Sequence, residues 1–346
     1  VISPYDVRQT NFIGGGVNAI TKSGTNTFRG TAYVYHQNQD LHGDTVAGVQ
    51  IDGARAKDMN TTYGFTLGGP IIKNKLFFFV NAEITKTPSV VNRWRGTSDV
   101  DENGNGIGNP ENYISRTTLY DLERVSKFVK ERYGYDTGSW TDFPADESNR
   151  KILARLDWNI NSGNHLSLRY NMLHADAHDS ANTLQSFYFT GAEYTNINRT
   201  HSVVAELNSS NYHKPVERNI SNTARIGYTR LTDGRTTPES LPAVIVNGLG
   251  ERGNGSATIG TNPYSGCNVL KQDVFIFGDD LHIQAPGLHY ITIGTSNEIY
   301  RADNLYLANA RGTYTYNTLE DFVADNASKY QYGYFADGRR NLPITT

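Results

Sequence analysis

Cysteine is all but missing from this chain: Cys267 stands alone among 346 residues. No intrachain disulfide can form, so covalent staples do not set the fold, and Cys267 reads as a structural loop residue. Missing too is any apolar run approaching the about 18 residues that a membrane-crossing helix requires. No cluster of Lys and Arg occurs and the net charge is −3, which removes the electrostatic case for nucleic acid as a partner. The first ten residues, VISPYDVRQT, carry neither the basic nor the apolar stretch of a secretory leader, nor an initiator Met. The expectation is an internal portion of a longer protein. Hydrophobic residues are scarce at 37%, against the roughly 45–50% usual in globular domains. Disorder would explain such a deficit, but 22 Tyr and 14 Phe oppose it, because disordered chains are poor in aromatics.

Catalytic motifs are absent as well. The nine His are scattered and neither G-x-S-x-G nor H-E-x-x-H occurs, so we expect no enzyme and no required cofactor. The run HADAH (174–178) places two His four apart. On a strand, at about 3.3 Å per residue, they would stand roughly 13 Å from each other, too far to share one metal ion unless the chain folds back there.

What the sequence does have is alternation. In KILARLDWNI (151–160), Ile152, Ala154, Leu156, Trp158 and Ile160 share one face, while Lys151, Arg155 and Asp157 share the other. After the turn residues NSGN (161–164), Leu166, Leu168, Tyr170 and Met172 alternate with Ser167, Arg169 and Asn171. This is a β-hairpin with one apolar and one polar face. Similar runs near 27–37, 60–71, 75–86, 199–210, 219–230, 271–284 and 288–301 bring the expected total to nine strands.

The connections then decide the class. Short links (71–75, 161–164, 213–217, 285–287) alternate with long ones (38–59, 88–149, 174–198, 231–270 and 302 onward). Strands of ten residues or more, tight turns at one end and long loops at the other fit an all-β, transmembrane, antiparallel up-and-down β-barrel with extracellular loops. A soluble β-sandwich is the competing class, but its strands are usually about 5–6 residues long. On the barrel reading, Ile152, Leu156, Trp158, Leu166, Leu168, Ile220 and Ile226 face lipid. Lys151, Arg155, Asp157, Arg169 and Arg225 face the lumen, as do Glu83 and Glu206.

Two loop features stand out. In 117–135, Leu119, Leu122, Val125, Phe128 and Val129 recur at helical spacing, with Thr118 and Asp121 as an N-terminal cap and Gly134 as a stop. In 99–112, Asp99, Asp101, Asn103 and Asn105 alternate, with Gly106 sixth from Asp101. This resembles the start of a calcium loop. The twelfth place holds Asn112, with Glu111 one earlier, so a solvated Asn/Gly-rich turn is the plain alternative to bound Ca2+.

The glycines Gly14, Gly15 and Gly16 open the block GGGVNAITKSGTNTFRGTAYVY. This block resembles the plug-to-barrel junction of TonB-dependent outer-membrane receptors, in the Oar-like branch seen in Bacteroidota and relatives. YDVRQTNFIGGGVNAITKSGTN looks like the end of the plug, GFTLGGPIIKNKLFFFVNAE (64–83) like the second and third barrel strands, and 270–300 like further strands. A phosphate-binding glycine loop is the alternative, but neither nucleotide-binding glycine motif is matched and no helix follows. The resemblance implies that residues 1–24 end the plug, with Val17 to Thr21 a short strand and KSGTN a turn. Residues 25–346 would then be the first nine or so strands of a barrel of about 22. Three glycines would let the plug backbone run tightly against the wall. In related receptors plug arginines pair with barrel glutamates; Arg8 and Glu83 are the candidates here.

By the same resemblance, the protein would sit in the cell outer membrane of a Gram-negative bacterium. It would import a large or scarce, still unidentified substrate. Its partners would be the lipid bilayer, the inner-membrane TonB–ExbB–ExbD complex and, for some ligands, a surface lipoprotein. The alternative is a structural or interaction barrel that serves protein secretion or envelope assembly without uptake.

Overall fold

The computed structural model describes residues 20–43, 45–50, 59–89, 94–104, 106–141, 145–211, 219–238, 240–250, 255–285 and 289–336. Nine strands form a single antiparallel sheet: β1 (Arg29–Asn38), β4 (Met59–Ile72), β5 (Leu76–Ser89), β8 (Ala145–Asn161), β9 (Asn164–Asp179), β11 (Tyr194–Ser210), β12 (Asn219–Thr236), β15 (Asn268–Ala285) and β16 (His289–Tyr306). Each pairs with the next along the chain, as an up-and-down wall requires. The turns at one end are tight. Lys73–Lys75 places Asn74 at φ 64°, a left-handed conformation that Asn tolerates. Asn161 closes the next turn by accepting from the Gly163 amide at 2.9 Å.

The ladder keeps every expected face. Ile152, Leu156, Trp158, Leu168, Ile220 and Ile226 are all at least 36% exposed on the outer face, and register puts Leu166 opposite Trp158 on that face. Arg155 stands opposite Arg169 and Glu206 opposite Arg225 on the inner face. The inner face is less uniformly polar than the sequence suggests, since Phe77 and Phe79 lie in register with Asp157 and Arg155. The outer face has a polar interruption too: Asp279, opposite Ala224, accepts from Asn222 at 2.8 Å.

The apolar belt is staggered. Outward-facing Tyr63 pairs with Ile84, and the same register line runs through Arg150, His174, Arg199, Thr232 and Lys271 to Asp303. The first outward-facing exposed apolar residue on β16 below that line is Ile299, four positions further from the loops. A level belt crossing tilted strands must slip in register in this way.

The long loops do not hang separately. They build a second, five-stranded sheet in the order β10 (Ser186–Tyr188), β14 (Gly255–Ile259), β13 (Ala243–Leu249), β17 (Thr313–Tyr316), β18 (Lys329–Gln331). The pairings β10–β14 and β13–β17 are parallel and join different loops. Helix α1 (Leu119–Tyr133) has its expected cap, the Thr118 hydroxyl accepting from the Asp121 amide at 3.0 Å, and ends at Gly134 with φ 67°. Leu122, Val125 and Val129 of α1 pack with Phe187, Phe189, Val246, Leu249 and Ile259, and with Leu319 and Phe322 of a short helix α2 (Leu319–Val323). The remaining loop strands are a parallel pair, β6 (Arg95–Thr97) with β7 (Ile114–Thr118), and a small hairpin, β2 (Thr45–Val46) with β3 (Val49–Gln50).

Candidate functional site

Two regions could act on something outside the chain: the inner face of the wall, where the N-terminal segment meets it, and the loop domain above.

Inner-face chemistry centres on Arg155. Its guanidinium donates to both carboxylate oxygens of Asp157 at 2.7–3.0 Å, and to the Thr21 carbonyl and hydroxyl at 2.9 and 2.7 Å. Asp157 is only 3% exposed and also faces His165 Nε2 at 3.3 Å. A buried carboxylate needs such partners. The alternation that makes the strand puts 155 and 157 on one face, so local sequence supplies the pair and the incoming segment completes it. Glu83 lies on the same face; its carboxylate accepts from Lys151 Nζ and the Tyr33 hydroxyl, each at 3.0 Å. The Tyr33 ring reaches it across Gly64, where a Cβ would stand 2.1 Å from the ring.

The segment itself is pinned twice more. The Asn26 side-chain amide donates to Asn74 Oδ1 at 2.6 Å, and Asn26 Oδ1 accepts from the Asn74 backbone amide at 2.7 Å. Gly24 lies so close to β4 and β5 that a Cβ there would come within 2.3 Å of the Phe78 carbonyl. Arg8, Gly14, Gly15 and Gly16 lie outside the described residues, so the Arg8–Glu83 pairing is not observed. Ile20 and Thr21 are not in a strand, and KSGTN leads into a bend at Asn26–Thr27 just before β1. Sequence reasoning missed Thr21 and Gly24, although both sit inside the motif it singled out.

In the loop domain, α1, β13, β17 and α2 surround a cleft of about 450 Å³ whose lining includes Tyr133, Tyr135, Tyr314, Tyr316, Leu241 and Phe322. Aromatic, concave and with a few polar tips, it has the make-up of a ligand cleft. Tyr316 donates to Asp325 at 3.1 Å, and burial, with that carboxylate, pushes its pKa up to about 12. Burial also pushes the Cys267 thiol up, so it is a poor nucleophile. No local signal marks this cleft, because its tyrosines come from separate loops.

The calcium-like loop is closed by its own backbone. Asp101 Oδ1 accepts from the Asn103 amide at 2.8 Å, Asp99 Oδ1 from the Ser98 hydroxyl at 3.3 Å, and Val100 bridges Gly106. Asn105 lies outside the described residues. Among the described residues no group of three or more His, Cys, Asp or Glu is placed to hold a metal. His174 and His178 both lie on β9 and turn to different partners: His201 at 3.1 Å and Glu193 at 2.8 Å.

Comparison with known proteins agrees with this architecture. The family model for the outer membrane beta barrel domain matches residues 20–342. The chain belongs to that family. It is 26% identical over 162 residues to the TonB-dependent transporter Oar of Myxococcus xanthus, a match covering 46% of this chain and 14% of Oar. Among solved structures, the outer membrane transporter YddB from Escherichia coli aligns with a TM-score of 0.48 at 9% identity, over 84% of this chain and 33% of YddB. The ferric enterobactin receptor PfeA from Pseudomonas aeruginosa aligns with a TM-score of 0.37 at 13% identity, over 85% and 43%. The chain thus spans less than half the length of these relatives. They are transporters and receptors, not enzymes, and the family places the chain in the outer membrane.

Proposed function

We propose that this chain is part of a TonB-dependent receptor in which residues 1–24 end the plug and 25–346 form the first nine barrel strands. One observation carries the reading: in a wall of this family, the segment entering from the N-terminus runs along the inner face and is held there by Arg155 and by close contact at Gly24. Substrate binds first at the loop domain, with the tyrosine cleft as an outer subsite. TonB, energised through ExbB and ExbD, pulls the plug, and the Arg155–Thr21 contact marks where moving plug meets fixed wall. Protein chemistry is limited to binding and displacement.

The test compares strains lacking the receptor, lacking TonB, or carrying neither deletion. Both deletions should leave the same compound unconsumed in the medium. If the receptor deletion changes only the secreted or surface proteins, with no uptake defect shared with the TonB deletion, the reading fails and a secretion or assembly role replaces it.

A further inference from the structure

We propose that the loop-side rim of the outer wall binds the phosphate groups of an anionic lipid in the surrounding leaflet. The observation is an asymmetry between the two ends of the apolar belt. Moving from the exposed apolar belt toward the loops along the lipid-facing positions, the first Lys, Arg, His, Asp or Glu is Lys86 on β5, Arg150 on β8, His174 on β9, His201 on β11, Arg230 on β12 and Arg301 on β16. β15, with Asp273, breaks the series, and β4 carries only the neutral Thr61 there. Toward the tight turns, the lipid-facing strand positions are instead residues such as Ser209, Asn222, Ile220 and Ile291, and from β8 to β16 none of the described ones is Lys or Arg.

The densest part is a patch on β8, β9, β11 and β12. Arg150 pairs in register with His174, His174 with Arg199, and His201 with Arg230, so neighbouring positions are one strand spacing of about 4.8 Å apart. Tyr170 and His174 hold His201 between them at 2.9 and 3.1 Å, which fixes one polar group facing the interface. Asp176 engages Arg199 and Asp273 lies 4.0 Å from Arg230. Arg150 has no acidic partner among the described residues, and the patch keeps a net positive charge. The cations sit one step above the belt, and the stagger of the belt carries them down the wall with it. A collar needed only for solubility would have no reason to favour one sign at one end. Arg forks match phosphate oxygens, and basic residues at one membrane face are a recognisable anionic-lipid signature.

The test uses the full-length protein extracted from outer membranes in mild detergent. Native mass spectrometry counts bound bisphosphorylated lipid A against phosphatidylethanolamine. The wild type should retain the phosphorylated glycolipid through delipidation. Arg150→Gln combined with Arg230→Gln should weaken retention roughly 30-fold, from the loss of two interfacial cations. Arg150→Lys with Arg230→Lys should largely keep it. Lipid A stripped of phosphate should bind the wild type no better than phosphatidylethanolamine. Unchanged retention in the Gln variant, with native heat-modifiable migration showing a folded barrel, would overturn the proposal. So would equal binding of the dephosphorylated lipid, or full displacement by millimolar inorganic phosphate.

Discussion

The wall and the loop domain are built on opposite plans from one chain. In the wall, Ile226 and Phe275 are 64% and 53% exposed while Asp157 is 3% exposed. In the loop domain, Leu122, Phe187 and Phe189 are fully buried inside an apolar cluster. The wall gains little from hiding apolar side chains from one another; continuous backbone pairing and lipid hold it. The loop domain is an ordinary water-facing fold with its own core. An overall hydrophobic share of 37% is low because half of each long strand is polar by design and much of the remainder is loop.

The comparison is broken most severely by cutting into the loop core. Phe189→Ala should cost about 3–5 kcal/mol and loosen the loop domain, read as faster proteolysis between 90 and 144, while heat-modifiable barrel migration persists. A variant that loses both together would show that wall and loops fold as one unit. The converse change is made in the wall. Ile226→Arg should cost about 2–4 kcal/mol near mid-membrane, measured as reduced folding yield into vesicles, with loop proteolysis unchanged in the folded fraction. Ile226→Ala should cost far less than Phe189→Ala, since lipid fills the space.

A smaller effect sits at the inner face. Gly24→Val places side-chain atoms against the Phe78 carbonyl, about 2.3 Å from the Cβ position, and should cost about 1–3 kcal/mol. The expected readout is faster hydrogen exchange at 20–27. Gly43→Ala, with nothing within 4 Å of the added Cβ, is the neutral control. Equal exchange in both would mean that the segment is not held by this contact.

The same contrast explains what was legible in the sequence. Period-two alternation in a long strand is local information, so all nine wall strands and the Ile152/Arg155 faces could be read directly. Helix α1 was legible because Thr118, Gly134 and the spacing of Leu122, Val125 and Val129 are local as well. The five-stranded loop sheet was not. Its strands are three to seven residues long, too short for a periodic signal, and two of its pairings join segments from different loops in parallel. Contact at Gly24 was hidden for another reason: glycine's freedom is visible in sequence, but the carbonyl it meets belongs to a strand about fifty residues away.

Alkaline pH should separate the two regions again. Tyr316 ionises near 10 when exposed but has its folded pKa pushed up to about 12. Between these values the folded state holds a proton that the unfolded state has released. Loop-domain stability is therefore fully present below pH 10 and falls from 10 toward 12. Tyr316→Phe should flatten that fall in loop unfolding followed by tyrosine fluorescence. An equally steep decline in the variant would assign it to other groups.

The smallest expected effect concerns loop 99–112, for which we propose weak calcium binding with Asp99, Asp101, Asn103 and Asn105 as oxygen donors. An oxygen-only set beside the glycines of this loop suits a large, hard cation and offers zinc no soft ligand. The Asp101 carboxylate already accepts from the Asn103 amide, which holds the loop in a tight turn. Two carboxylates among neutral donors suit a Kd in the roughly 10⁻⁴–10⁻³ M range of extracellular modules. Calcium at about four times its Kd would then stabilise the loop domain by about 1 kcal/mol. Thermal unfolding of the loop domain with calcium, with magnesium and with chelator reads this out. Calcium alone should raise the midpoint, and Asp99→Asn with Asp101→Asn should abolish the rise. A midpoint indifferent to calcium would leave the hydrogen-bonded turn as the whole role of these residues.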